Sequence, residues 1–86
     1  MKLRKEFITM QTGDTQIMVS TDTKLFSGLV RSNATTAFVI EKLKNETSFE
    51  EILNAMKEEY EGDPEVMARD LKMVLDKLRS IKALEE

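Results

Sequence analysis

The segment Leu25-Phe26-Ser27-Gly28-Leu29-Val30-Arg31, running straight into Ser32-Asn33, constrains this chain more than any other. It reads as a short strand delivered into a helix cap. Gly28 falls inside it, where a glycine weakens pairing and marks a bulge or the close approach of another backbone. The apolar runs before it read as two earlier strands, and the pattern after it is helical. The segment is then the last strand of a small meander, with an outer side of unpaired N–H and C=O groups. Such an edge is either blunted or used as a docking rail for a peptide.

The remaining elements follow from periodicity and punctuation. A first strand is expected from Leu3 to Met10 and a second from Gln16 to Ser20. Gly13-Asp14 between them suits a type II′ hairpin turn. Thr21 to Lys24 is a polar turn. Asn33 opens a first helix whose apolar face carries Ala37, Phe38, Ile40 and Leu43. Thr47-Ser48-Phe49-Glu50 fits a capping box with Thr47 at the cap, starting a second helix that reaches Tyr60. Its inward residues are Phe49, Ile52, Leu53, Met56 and Tyr60, and Gly62 is expected to end it as a left-handed cap. Asp63-Pro64 begins a third and longest helix, reaching Ala83, with Met67, Leu71, Val74, Leu78 and Ile81 as its core stripe. The order predicts one α+β domain spanning residues 1–86: a three-stranded antiparallel sheet followed by three helices gathered on one face.

Composition narrows the function. In 86 residues only one modest core can form, too small for a deep buried active site. With neither cysteine nor histidine, thiolate chemistry, disulfides, the commonest general base and the commonest metal ligands are excluded. The three glycines stand far apart, so no phosphate-cradling loop is present. The acidic pairs Glu50-Glu51, Glu58-Glu59 and Glu85-Glu86 read as solvated helix surface rather than converging metal ligands. A net charge of −3 argues against nucleic acid or an anionic membrane as the main partner. No apolar run reaches the length of a membrane span, and the basic N-terminus is followed by no apolar signal region. The expectation is a cytoplasmic protein that is not an enzyme and holds no cofactor or metal.

A few residues invite a sharper reading beside a plain one. Met56 and Met67 sit at core spacing and read as filler. Met73 lies off the stripe and shares a helical face with Val66, Asp70 and Lys77, which is either an ordinary boundary or one wall of a groove. For Asp70 the plain explanation is an ion pair with Lys42, Lys77 or an arginine. Arg69, Lys72, Lys77, Arg79 and Lys82 cluster late, as the helix dipole favours without any ligand.

Taken together, Ser27-Gly28-Leu29-Val30-Arg31-Ser32-Asn33, a helix, Thr47-Ser48-Phe49-Glu50-Glu51-Ile52, Asp70-Leu71 and the closing Leu78-Arg79-Ser80-Ile81-Lys82-Ala83-Leu84 resemble the PqqD-like family. The order and spacing of these segments carry the likeness rather than any one motif. The resemblance implies a winged-helix-like domain that recognises the leader of a ribosomally made precursor peptide and presents it to a maturation enzyme, often a radical SAM enzyme. It also implies a binding mode, in which the leader pairs antiparallel to the third strand and lies between that strand and the last helix. The residues implied are Leu25, Phe26, Ser27, Gly28, Leu29, Val30 and Arg31 on the strand. On the helix they are Val66, Asp70, Met73 and Lys77, with Val74 as floor. Two positions depart from the family pattern: Ser32 stands where leucine is common, and Lys82 where a glycine is usual near the end of the last helix. Ser32 would loosen the corner, and Lys82 would let the helix run on by a turn.

Two other readings stay open at this point. A winged-helix DNA-binding regulator needs a coherent basic recognition helix, whereas the second helix sets Glu50, Glu51, Glu58 and Glu59 against Lys57 alone. A homodimerising module would satisfy the open edge with a second copy. The expected form is a monomer or weak homodimer. The sequence names neither the precursor peptide, the maturase nor the product.

Overall fold

A computed structural model of the chain describes residues 1–24 and 26–86. The α+β expectation holds, with the strand pattern revised. The first strand divides in two. Lys2–Leu3 (β1) is followed by a turn in which the Phe7 N–H donates to the Arg4 carbonyl at 3.0 Å. Phe7–Thr12 (β2) then begins the hairpin, and Gly13 at φ +59 takes the first corner of its turn. The return strand, Thr15–Ser20 (β3), pairs from Thr12↔Thr15 to Phe7↔Ser20. Glycine is needed at that corner because a side chain resists positive φ.

The third strand is shorter than expected, Leu29–Ser32 (β4), and pairs antiparallel with β3 from Val19↔Leu29 to Gln16↔Ser32. Phe26, Ser27 and Gly28 lie in the loop before it, and Leu25 falls outside the described residues. The Phe26 N–H donates to the Asp22 carbonyl at 3.2 Å. Gly28 has φ +129, open only to glycine, so it redirects the chain into β4 rather than making room within a strand.

Asn33 caps the first helix, Ala34–Lys42 (α1), its side chain accepting from the Thr36 N–H at 2.8 Å. The second helix, Phe49–Glu59 (α2), is capped one residue later than expected. Ser48 accepts from the Glu51 N–H at 3.2 Å, while Thr47 Oγ1 donates to the Glu51 carboxylate. That helix ends at Tyr60 in extended backbone, so Gly62 is not its left-handed cap. Asp63 caps the third helix, Pro64–Ser80 (α3), by accepting from the Glu65 N–H at 2.9 Å.

Lys82 stops α3 instead of extending it. It adopts φ 61, the Lys82 N–H donates to Arg79 O at 3.0 Å and the Ala83 N–H donates to Leu78 O at 2.9 Å. This is a Schellman cap with lysine in the glycine position and a buried Leu78–Ala83 pair beneath it. The cap turns the chain into Leu84–Glu85 (β5), which pairs with β1 in a separate two-stranded sheet.

The inner face of the main sheet offers Phe7, Met18 and Val30 to the helices. Against them pack Val39, Ile40, Leu43, Ile52, Met56 and the α3 stripe. That stripe is Met67, Leu71, Leu75 and Leu78. Leu75 was not expected there, while Val74 and Ile81 are only partly buried. The inner face also carries a polar pair across the strands, Gln16 and Ser32, at 8% and 7% exposure, and neither Gln16 Oε1 nor Ser32 Oγ finds a protein partner.

Two substitutions test these local costs. Lys82→Gly removes the penalty of a side chain at positive φ, about 1–2 kcal/mol, against the extra unfolded-state freedom of glycine. A net gain of about 0.5–1 kcal/mol is expected in urea unfolding, and a loss would contradict the cap. Ser32→Ala deletes a buried hydroxyl without a protein acceptor and is expected to be neutral or stabilising by about 1 kcal/mol. A Ser32→Ala loss beyond about 1 kcal/mol would mean that the hydroxyl is held.

Candidate functional site: an open strand edge beside a trough

The hydrogen-bond phase of the sheet is fixed by its first turn. Thr12 and Thr15 close a two-residue loop, so their main-chain groups bond to each other. In an antiparallel ladder these groups alternate sides along a strand. Thr15, Ile17 and Val19 therefore address β2, and Thr21 continues that phase by donating to the Glu6 carbonyl at 2.6 Å. Gln16 and Met18 address β4, where they meet Ser32 and Val30. It follows that Leu29 and Arg31 turn both N–H and C=O away from β3. In the sheet order β2-β3-β4, no strand lies beyond them among the described residues.

The predicted strand residues thus separate by role. Leu29 is 53% exposed and Arg31 is exposed, so each offers backbone and side chain. Val30 is 7% exposed, its side chain in the core and its backbone committed to β3. Phe26 is half-buried and stacks on Phe7 at 6.1 Å between ring centroids. Ser27 and Gly28 are exposed loop, and Leu25 cannot be placed because it is outside the described residues.

The predicted helix residues come together. A trough of about 310 Å³ runs along α3, lined by Asp70, Met73, Val74 and Lys77 on one side and by Asn33, Thr35 and Thr36 on the other. A second hollow of about 250 Å³ shares Thr35 and Asp70 with it and continues past Val66 to Tyr60 and Gly62. Asn33, Thr35 and Thr36 were missed as site residues. The cap at Asn33 was legible, but its consequence, that the first turn of α1 forms the opposite wall, needs the packing of α1 on α3. The trough and the β4 edge meet at Asn33. Leu29 and Arg31 line a separate hollow of about 230 Å³ on the outer sheet face, with Thr12, Thr15 and Ile17.

Electrostatics distinguishes the two sides of α3. On the far side Lys72 bonds Asp76 at 2.7 Å, and Arg79 reaches Asp76 at 3.2 Å and Glu86 at 3.0 Å. Hydrogen bonds from Lys72 and then Arg79 hold the Asp76 carboxyl below the usual carboxylate range, and Arg79 does the same to Glu86. The Arg79 guanidinium is held above its ordinary value, chiefly by Glu86. On the trough side neither Asp70 nor Lys77 has an ion-pair partner among the described residues, so the ion pair expected for Asp70 is not formed. No group of acidic residues converges on a metal position among the described residues.

Residues 15–84 match the family described as coenzyme PQQ synthesis protein D (PqqD). The chain belongs to the PqqD family. Among curated proteins none matches. Two solved structures share the fold. One is TbiB1 in complex with the TbiA(beta) leader peptide, at TM-score 0.83 and 24% identity, covering 99% of this chain and 95% of that one. The other is lasso peptide synthetase B1 complexed with the leader peptide, at TM-score 0.80 and 19% identity, covering 99% and 96%. No helix of this PqqD-family chain, among the described residues, is long and apolar enough to cross a membrane.

The exposed apolar residues of the trough and of the adjoining hollow contribute little to folding if they are there to be covered by something else. Met73 is 65% exposed and Val66 43%. Met73→Ser and Val66→Ser should each change unfolding free energy by no more than about 0.5 kcal/mol, apart from differences in helix propensity. A loss of about 2 kcal/mol in either would make that residue part of the core instead.

Proposed function

We propose that this PqqD-family chain is a non-catalytic adaptor that binds the leader of a ribosomally made precursor peptide by strand addition and presents it to a maturation enzyme. The observation that carries the reading is the β4 edge. Leu29 and Arg31 offer outward main-chain groups beside a trough lined by Asp70, Met73, Val74 and Lys77. An extended peptide gains affinity from main-chain bonds and specificity from alternate side-chain pockets. Antiparallel addition continues the pattern of the sheet and is slightly the more stable choice per residue. Support comes from the family and from two proteins of the same fold whose structures contain leader peptides.

A leader disordered in isolation loses about 2–5 kcal/mol on ordering, so the few bonds of a four-residue strand need the trough as well. A dissociation constant of ~µM to sub-µM follows, about −8 to −10 kcal/mol. The family resemblance implies a radical SAM enzyme as the recipient, whereas one structural neighbour is a lasso peptide synthetase. Reconstitution with each enzyme class decides between them. The DNA-binding alternative gains nothing from the fold, because Glu50, Glu51, Glu58 and Glu59 are all exposed on α2.

The edge is tested by a proline at an outward position. Gly28→Pro is unsuitable, because proline fixes φ near −65° whereas Gly28 sits at +129. Arg31→Pro removes an N–H that β3 does not use, as edge strands tolerate. With the leader of a precursor encoded beside the gene as a fluorescent probe, Arg31→Pro should weaken binding at least about tenfold, the equivalent of one charge-free main-chain bond and its neighbour. Arg31→Thr, which keeps the N–H, should bind within a few-fold of the parent. Equal binding by both variants would refute strand addition.

A further inference from the structure

The geometry points to a charge-ordered leader: the peptide segment that this chain selects carries a basic residue, an apolar residue and an acidic residue at successive alternate positions, the basic one towards its N-terminus. This rests on the strand-addition reading above and says which peptide that site prefers.

The argument starts from the charges of α3. On its far side Lys72, Asp76 and Arg79 form a paired chain that ends on Glu86, whereas Asp70 and Lys77 line the trough without ion-pair partners among the described residues. They stand seven positions apart, roughly 10 Å along the helix axis, too far to satisfy each other. Met73 lies between them, 65% exposed. The trough therefore presents an anion, an apolar surface and a cation in sequence. An extended strand turns every second side chain to one side, and two such steps span roughly 13 Å. Long side chains on both partners absorb the small mismatch with the helix.

The direction follows from how β4 lies against α3. β4 begins at Leu29, level with Val19 and Ile8, and the loop before it stacks Phe26 on Phe7, whose N–H donates to Arg4, the residue whose own N–H meets Ala83 just past the end of α3. It ends at Asn33, which opens the trough, and the next wall residue, Thr35, shares a second hollow with Asp70 and the N-terminal part of α3. β4 and α3 thus run in opposite senses. A strand antiparallel to β4 enters on the Asp70 side and leaves on the Lys77 side. Its basic residue meets Asp70, its apolar residue covers Met73 and its acidic residue meets Lys77.

The test uses short synthetic peptides of β-branched residues that share a central Leu and differ only at the two alternate positions flanking it: Lys-x-Leu-x-Glu, the reversed Glu-x-Leu-x-Lys, and neutral Gln-x-Leu-x-Gln. The full chain should bind the first about tenfold more tightly than the second, with the neutral peptide between, since exchanging the ends converts two attractions into two repulsions of modest size. The double variant Asp70→Lys, Lys77→Glu should invert the preference, and ~1 M salt should erase it in both proteins. Equal affinity for the three peptides overturns the charge order and leaves strand addition standing. So does a preference that survives the double exchange. If none of the peptides binds, the neutral one included, the charge order and the strand-addition reading both fail.

Discussion

The phase of main-chain hydrogen bonding, set by a two-residue turn at Gly13-Asp14, is the constraint on which the rest of this structure depends. Once Thr12 and Thr15 bond each other, every later residue in the sheet has its side assigned. One face then receives Phe7, Met18 and Val30, and the same alternation points the free N–H and C=O groups of Leu29 and Arg31 outward. A slip of one residue would exchange buried and exposed side chains along the whole strand. It would also spend the outward groups on Val30 and Ser32, whose side chains belong to the core. Core and edge are therefore specified by one decision, and the large energy of the first fixes the geometry of the second.

Closure of the small core rests on the chain ends. β1 and β5 pair with each other rather than with the main sheet, and they meet where α1 and α3 finish. The Leu3 N–H donates to Leu43 O at 2.7 Å, and the Arg4 N–H donates to Ala83 O at 2.8 Å. These bonds bring Leu3, Ala83 and Leu84 over Leu43 and Leu78, all of them buried. The left-handed turn at Lys82 makes this possible, because a helix continuing past Ser80 would carry Leu84 away from Leu3. An isolated pair of two-residue strands has no stability of its own. It persists here because it covers apolar side chains that would otherwise face water.

The helices were legible in the sequence because their signals are local. Asn33, Asp63-Pro64 and the hydroxyls before Phe49 act within one turn, and two of the three caps form where expected. The Ser48 cap differs by one residue because Thr47 and Ser48 are both competent, and only the fold chooses between them. The errors lie where distant segments decide. The division of the first strand depends on β5, more than seventy residues later. Leu75 and Val74 are adjacent apolar residues on one helix, and periodicity alone favoured Val74. In the fold Leu75 points to the core and Val74 to the flank that becomes the trough floor. Apolar neighbours make Gly28 look like strand in the sequence, whereas its positive φ belongs to the loop. Of the candidate site, the face of Val66, Asp70, Met73 and Lys77 could be read from helical spacing. The opposite wall at Thr35 and Thr36 could not, since nothing in a polar first turn signals what packs beside it.

An open edge carries the hazard of pairing with any exposed strand, including another copy. At the β4 edge the strand is four residues long and exposes main-chain groups at only two of them. Gly28 bends the chain away at one end and α1 begins at the other. Two copies meeting at this edge would gain few main-chain bonds for the freedom lost. Under the proposed function a peptide of complementary side chains would gain the same few bonds and fill the trough besides. Under the proposed function the shortness of β4 would act as a filter: main-chain pairing alone would fall below what stable association needs, and selection would pass to the side chains along α3.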